Sequence, residues 1–284
     1  MLKTKAIVHG AISIVNAIPT GKGATMGISL RTEAVVQARR GTGIHLVSGA
    51  DNTNLIQSTV RMSVPPEMLS EYEISISVRS EIPMGYGLKS SSSISTAVAL
   101  ASAKLFDSGQ LDRLVLQASV DASIESGVSI TGAYDDACGC YYGGIVVTDN
   151  IKCKTLLRKP VEEDLTAVIF IPANKRRKNP RRLRDKRDAF NSAWNLAMSS
   201  RYWDAMTVNG ITAAPILGTD PTLISKLISA GALGASVSGN GPAVAAVART
   251  DSIMAIREVF DKMDGRIITS AANNKKASVR VLQD

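Results

Sequence analysis

Three observations predict an α+β protein in two parts for this chain of 284 residues. Most of the first 80 residues mix β-branched side chains with alternation or short apolar runs, the pattern of strands. Small-residue apolar stretches with helical spacing follow. Strands and helices then interleave without a strict βαβ repeat, an internal repeat or a low-complexity tract. With 45% hydrophobic and 20% charged residues the chain is globular, and its length suits one large or two modest domains.

Taken in order, strands are expected at Lys5 to His9, Gly27 to Gln37, Ile44 to Val47 and Tyr72 to Val78. The last is the clearest, because Ile74, Ile76 and Val78 fall on one face and Ser75, Ser77 and Arg79 on the other. Ser80 to Ala103 reads as a loop containing Gly85 and Gly87 that leads into a helix starting near Ser91; serines are good N-caps and a small-residue apolar run follows them. A second helix, Leu111 to Ser126, spaces Leu114, Val115, Ala118, Ala122 and Ile124 by roughly one turn and ends at Gly127. Thr131 to Asp149 puts the adjacent carboxylates Asp135 and Asp136 before a Gly143-Gly144 turn and a strand, Ile145 to Thr148.

From Ile151 to Asp164 the chain is charged and irregular, and a buried strand, Leu165 to Pro172, opens the second part. The expected domains are therefore 1–160 and 161–284. Helices are expected near Asp185 to Ser200, Tyr202 to Ile211, Pro221 to Ala230 and Ser252 to Met263, with a final strand at Ala277 to Leu282.

Composition removes several classes of function. Cys138, Cys140 and Cys153 are too few and too clustered for a disulfide framework, and the odd count fits a reducing compartment. His9 and His45 are the only histidines, which excludes a His-rich zinc site and leaves little for a Ser-His-Asp triad. No apolar run approaches the ~18 residues of a membrane helix, and the opening segment lacks a signal-peptide core, so the expected location is the cytoplasm, away from membranes. The 33 basic residues against 25 acidic ones give a net charge of +8, which favours anionic partners. Aromatic residues at 4% supply few stacking platforms for single-stranded nucleic acid.

The most informative segment is the loop Pro83, Met84, Gly85, Tyr86, Gly87, Leu88, Lys89, Ser90, Ser91, Ser92 and Ser93. Its glycines permit close backbone approach, and its serines offer hydroxyls for phosphate and an oxygen for Mg2+. The helix N-terminus behind it is a ready anion site. It is neither a P-loop nor a dinucleotide fingerprint, and a Ser-rich turn that only caps a helix has the same composition. Two further segments stand out beside it: KAIVHGAISIVNAIPTGKGATMGISL near the start and GASVSGNGPAVAAV, Gly234 to Val247, near the end.

These three segments resemble the three signatures of the GHMP kinases, in the right order and across nearly the whole chain. Lys5, His9, Gly10, Gly21 and Lys22 match the first. PMGYGLKSSSSISTA is similar to the ATP-cradling second, usually P-x-G-x-G-L-G-S-S-A-A, and VSGNGPAV is similar to the third. The runs GLKSSSS and TGAYDDACGCYYGG resemble one branch, the archaeal-type shikimate kinases. The resemblance implies a two-domain GHMP kinase fold, with an N-terminal domain like domain 2 of ribosomal protein S5 and a ferredoxin-like C-terminal domain. It also implies transfer of the ATP γ-phosphate to the 3-hydroxyl of shikimate.

Residue roles follow from the same resemblance. The loop from Pro83 to Ser93 would cradle ATP. Asp136, counted back from the Gly143-Gly144 turn, would face the acceptor hydroxyl, with Lys5 as a nearby cation. Ser91 and Glu125 would hold Mg2+, and Ser238, Gly239, Asn240 and Gly241 would support the phosphate loop and the substrate. Lys89 stands where the family has glycine, and either reaches a phosphate or points into solvent. Ala11 stands where related kinases carry a glutamate, so their substrate contacts do not transfer, and His9 reads as a packed strand residue. The run Asn174 to Asp188 holds nine basic residues. Most form a solvated face, while Arg181 and Arg184 are the first choices to clamp a substrate carboxylate. The alternatives are another small-molecule kinase of the superfamily, such as a homoserine or mevalonate kinase, a regulatory relative without turnover, or a nucleic-acid binder using the basic run. The Ser/Gly loop, Glu125 and Asp136, in register with the kinase signatures, weigh against the last.

Overall fold

The computed structural model describes residues 2–49, 52–107, 111–174 and 178–283. Its first element, β1 (Leu2–Val15), pairs antiparallel with β2 (Lys22–Arg40). Up to His9, β1 alternates like a strand with one covered face: Thr4, Ala6 and Val8 are buried, while Lys5, Ile7 and His9 are half-buried. The register shifts between His9 and Gly10, and from there to Val15 every residue is buried. The cause is a second layer that covers the other face of this end of the strand.

The remaining strands of this sheet are β3 (Ile44–Ser48), β4 (Tyr72–Ser80), β5 (Ile145–Asp149), β6 (Lys154–Lys159) and β11 (Ser278–Val281), and one path through it runs β11-β1-β2-β4-β3. β2 serves two neighbours along its length, β5 through Lys22 to Met26 and β4 through Thr32 to Arg40. Five helices accompany the sheet: α1 (Thr53–Ser63), α2 (Pro66–Glu71), α3 (Ser90–Leu105), α4 (Leu111–Glu125) and α5 (Tyr134–Tyr142). Their common core joins Val8, Val36, Ile74 and Ile76 of the strands to Val60, Val98, Leu100 and Val115 of the helices. α3 is buried on nearly all sides because it consists of Ser, Ala, Thr, Val, Ile and Leu up to Lys104. Small side chains let it sit close to the sheet, where the Thr4 hydroxyl donates to the Ala101 carbonyl at 2.8 Å.

The second sheet is antiparallel with the order β10-β7-β9-β8, formed by β7 (Thr166–Pro172), β8 (Gly234–Val237), β9 (Val244–Ala248) and β10 (Gly265–Ala271). With it are α6 (Arg187–Met198), α7 (Tyr202–Leu217), α8 (Pro221–Ser229) and α9 (Ile253–Phe260). β7 is covered on both faces. Ala167, Ile169 and Ile171 share a core with Ile12, Ile14, Met26 and Val147 of the first sheet, whereas Val168 and Phe170 pack with Ile224, Leu227 and Phe260. A continuous apolar run in the sequence is what such a strand requires. Among the described residues, no helix is long and apolar enough to cross a membrane.

Several elements differ from the sequence expectation. α1 and α2 occupy a region read mainly as strand. Asn52 caps α1 by accepting from the Leu55 amide at 3.1 Å, Leu55, Ile56 and Val60 form its buried stripe, and Pro66 starts α2. α5 occupies a segment to which no element was assigned, with Asp135 and Asp136 in its first turn, where carboxylates favour the helix dipole. The charged segment after residue 151 contains β6, an edge strand whose residues alternate in exposure. β10 was not expected, and α7 runs to Leu217, past the expected Ile211. The final strand lies in the first sheet, with Thr4 opposite Val281 and Ile7 opposite Ser278. A division near residue 160 therefore leaves β11 on its far side, while β7 to β10 stay within residues 166–271.

Because Ile169 is fully buried in the core common to both sheets, Ile169→Ala is expected to cost about 2–5 kcal/mol of unfolding free energy. Urea unfolding followed by circular dichroism and by tryptophan fluorescence should then give one coincident, shifted transition. Separate transitions would show that the two sheets unfold independently.

Candidate active site

A cleft opens where the far end of β1, the loop before α3, the start of α5 and the turn between β8 and β9 meet. The pieces are tied by hydrogen bonds. Ser238 Oγ donates to the Gly87 carbonyl at 2.9 Å and accepts from the Ser13 amide at 3.3 Å. The Gly239 amide donates to Ser13 Oγ at 2.9 Å, and Asn16 Nδ2 donates to the Gly239 carbonyl at 2.8 Å. Gly87 has a φ of +86°, and a Cβ there would collide with the Ser238 carbonyl, so only glycine allows this approach of the two turns.

α3 aims its N-terminus into the cleft, with Ser90, Ser91 and Ser92 on the wall. By helix geometry the amides of this first turn have no partner within the helix, which makes it an anion cradle. Its cap is Lys89, a non-glycine residue in the left-handed region (φ 64°, ψ 27°). The Lys89 side chain is only 4% exposed, and its Nζ lies 2.8 Å from Asp136 Oδ1 and 2.7 Å from Ser13 Oγ. Burial works against that charge, but Asp136 and Asp135 outweigh it and hold the ammonium above the ordinary lysine range.

The two adjacent carboxylates have different surroundings. One residue apart on a helix is a rotation of about 100°. Asp136 reaches the cleft with its side chain 18% exposed. Asp135 is buried, also at the cleft wall, where Asn150 Nδ2 donates to its Oδ1 at 2.6 Å and its own amide donates to Asn150 Oδ1 at 3.1 Å. Thr148 Oγ1 donates to the same Asn150 oxygen at 2.7 Å and fixes that amide. Burial, then the charge of Asp136, pushes the Asp135 carboxyl up to about 7. Gly23 leaves the space it occupies.

Of the residues singled out in the sequence, Gly85, Gly87, Lys89, Ser90, Ser91, Ser92, Asp136, Gly239, Asn240 and Gly241 line this cleft. Leu88 and Ser93 are buried, and Ser93 Oγ donates to the Ser90 carbonyl at 2.8 Å. Ser238 braces the loop from below, and the Tyr86 carbonyl accepts from Ala243 at 3.1 Å. Pro83, Met84 and Tyr86 stand outside the lining.

Four side chains are elsewhere. Lys5 sits eight residues before Ser13 on β1, roughly 25 Å of extended chain away, and its Nζ pairs with Glu33 Oε2 at 2.7 Å. Glu125 is 46% exposed and faces Arg61 across 4.0 Å. On α4, Ser123 is the residue that lines the cleft, and Glu125, about 200° further round the helix, points away. Arg181 and Arg184 are exposed on a 3-10 turn, Pro180–Lys186, outside the cleft lining, anchored there by the buried Leu183. Lys175, Arg176 and Arg177 of the same basic run lie outside the described residues.

Ser13, Asn16 and Asn150 were not anticipated. Ser13 and Asn16 lie in the first glycine-containing segment, but a polar residue aimed into a cleft is distinguishable from its strand neighbours only once the sheet is covered on both faces. Asn150 had no signal beyond its position next to a strand end.

The family model for the GHMP kinases N terminal domain matches residues 54–144. A shikimate kinase of Methanothermobacter thermautotrophicus is 34% identical, over 96% of this chain and 96% of its own. One of Methanosarcina acetivorans is 36% identical, over 96% of this chain and 95% of its own. Among solved structures, the homoserine kinase of Cytophaga hutchinsonii superposes with a TM-score of 0.77, covering 98% of this chain and 97% of that one at 16% identity, a likeness of fold.

The elevated Asp135 carboxyl has a consequence for stability. Its folded value, about 7, exceeds its ordinary 3.8, so folding favours the protonated form. The stability it contributes is complete below about pH 4 and is lost as pH rises towards about 7. Asp135→Asn stays neutral and should gain on the native chain across that interval. Urea unfolding at about pH 5 and about pH 8 measures the gain, and a pH-independent difference would contradict it.

Proposed function

Because this chain belongs to the GHMP kinases, in the group of the archaeal shikimate kinases, we propose that it transfers the γ-phosphoryl group of ATP to the 3-hydroxyl of shikimate, giving shikimate 3-phosphate and ADP on the route to chorismate. The observation that carries this reading is the identity of 34–36% with archaeal shikimate kinases along 96% of the chain. The geometry supports it. A single cleft combines an anion cradle at the start of α3 with a carboxylate, Asp136, on the facing helix.

In the proposed reaction the nucleotide phosphates lie against the first turn of α3, where backbone amides and the Ser90 to Ser92 hydroxyls hold their oxygens. Asp136 orients the acceptor hydroxyl and takes its proton as the new O–P bond forms and the bond to the ADP oxygen breaks. The carboxylate then returns the proton to solvent. Proton acceptance of this kind is worth about 10²–10⁴-fold in rate.

Mg2+ fits this cleft as a companion of the nucleotide. No three of His, Cys, Asp and Glu cluster among the described residues, Glu125 points away, and Ser91 offers a hydroxyl on the wall. An ion that keeps water and phosphate oxygens for most of its six ligands needs little more from the protein. When bound it offsets the phosphate charge.

ADP release from the purified protein with Mg2+-ATP, comparing shikimate, homoserine, mevalonate and no acceptor, tests the assignment. Shikimate-dependent release is expected. Release with another acceptor would keep the superfamily chemistry and replace the substrate, whereas RNA binding that weakens with salt and no ADP release would favour the nucleic-acid reading. Asp136→Asn should lower kcat by about 10²–10⁴-fold with little change in ATP affinity. Near-native turnover in that variant would remove Asp136 from the proton-accepting role.

A further inference from the structure

We infer that Lys89 supplies the catalytic ammonium of this kinase, with Nζ bridging Asp136 and the phosphoryl group in transfer. The inference rests on the kinase reading above and deepens it. Four features lead to it.

First, Lys89 is the one cation among the described residues lining the cleft. Lys5, which the resemblance nominated, is held by Glu33 on another part of β1. Second, the placement of the Lys89 ammonium is costly. Its side chain is 4% exposed, and a buried ion pair seldom repays its desolvation in stability alone. Third, its backbone adopts φ 64°, a conformation that glycine takes freely and that costs other residues energy. A chain selected only for stability would do better with glycine there.

Fourth, its position joins both halves of the reaction. The residue caps α3, so its side chain starts where the phosphate cradle begins, and its Nζ ends 2.8 Å from Asp136 Oδ1. An ammonium has three N–H donors. Ser13 Oγ accepts one at 2.7 Å and is itself fixed by the Gly239 amide at 2.9 Å, and Asp136 Oδ1 lies 2.8 Å away as the ion-pair partner. The remaining donor capacity of the ammonium can turn to a phosphoryl oxygen or to the acceptor oxygen beside it. In the step, the acceptor O–H gives its proton to Asp136, the acceptor oxygen bonds to the γ-phosphorus, and the electron pair of the broken bond leaves on ADP. Lys89 keeps its proton throughout. Its charge offsets the charge gathered on the equatorial oxygens, an effect worth about 10²–10³-fold when one such donor is lost from a reaction centre.

The test compares Lys89→Gly, Lys89→Arg and Lys5→Met with the unaltered protein, using the acceptor that supports its ADP release. Lys89→Gly relaxes the left-handed backbone, so its thermal midpoint should stay close to that of the unaltered protein. Its kcat should fall by about 10²–10³-fold while ATP affinity, from nucleotide titration, changes far less. Ethylammonium in the buffer should restore part of the Lys89→Gly rate by filling the vacated place. Lys89→Arg, whose planar head is a poor substitute for a point charge, should recover less than full rate, and Lys5→Met should retain it. If Lys89→Gly unfolds, Lys89→Met, with a similar stem and no charge, gives the same measurement. A folded Lys89→Gly or Lys89→Met enzyme with kcat within a few-fold of native overturns the inference and leaves the kinase reading intact. An unaltered protein that releases no ADP with any of the acceptors overturns both.

Discussion

The apolar core shared by the two sheets is the constraint on which the cleft depends. Ile12 and Ile14 of β1 pack into it beside Ile169 and Ile171 of β7, and strand alternation then turns Ser13, between them, to the opposite face and into the cleft. The same packing brings the β8–β9 turn over the phosphate loop, close enough that Gly87 admits no side chain. The site is therefore assembled by burial at some distance from it. Its polar contacts adjust a geometry that the isoleucines impose, and a loosened core would open the cleft before any polar residue in it had changed.

Electrostatics in the cleft are balanced by burial. Two carboxylates and one ammonium would leave a negative centre facing the proposed polyanionic nucleotide. Desolvation pushes Asp135 up to about 7, so near neutral pH a substantial part of that charge is withheld, while Lys89 keeps Asp136 company as an ion pair. Towards an anionic ligand the cleft then presents a nearly neutral trio and the positive end of α3. The chain's net charge of +8 adds a long-range attraction that salt would screen.

Much of this was legible in the sequence, and the remainder was not for identifiable reasons. Four serines before a small-residue run mark the start of α3, and the alternation of β4 marks its covered face. Asp136 was nominated by the family resemblance, counted back from a glycine pair, and it lines the cleft. α5 escaped because Cys, Gly and Tyr are indifferent helix formers, and burial against β1 and β2 decided the matter. Lys5 and Glu125 show the limit of carrying roles by resemblance alone. A strand register and a helix face decide where a side chain goes, and a helical projection already separates Glu125 from Ser119 and Ser123, the buried pair one turn apart. The backbone conformation of Lys89 left no trace in the sequence except an unexpected lysine.

The pairing of β11 with β1 has a consequence for biogenesis. Thr4 to Ile7 find their partners only at residues 278–281, so β1 leaves the ribosome with one edge of amide and carbonyl groups unfilled, and that edge stays open until those residues have emerged. During translation the first sheet is an unfinished template able to pair with a neighbouring nascent chain. Closing it joins strands far apart in sequence, Thr4 with Val281 and Ile7 with Ser278, the kind of long-range contact that slows folding.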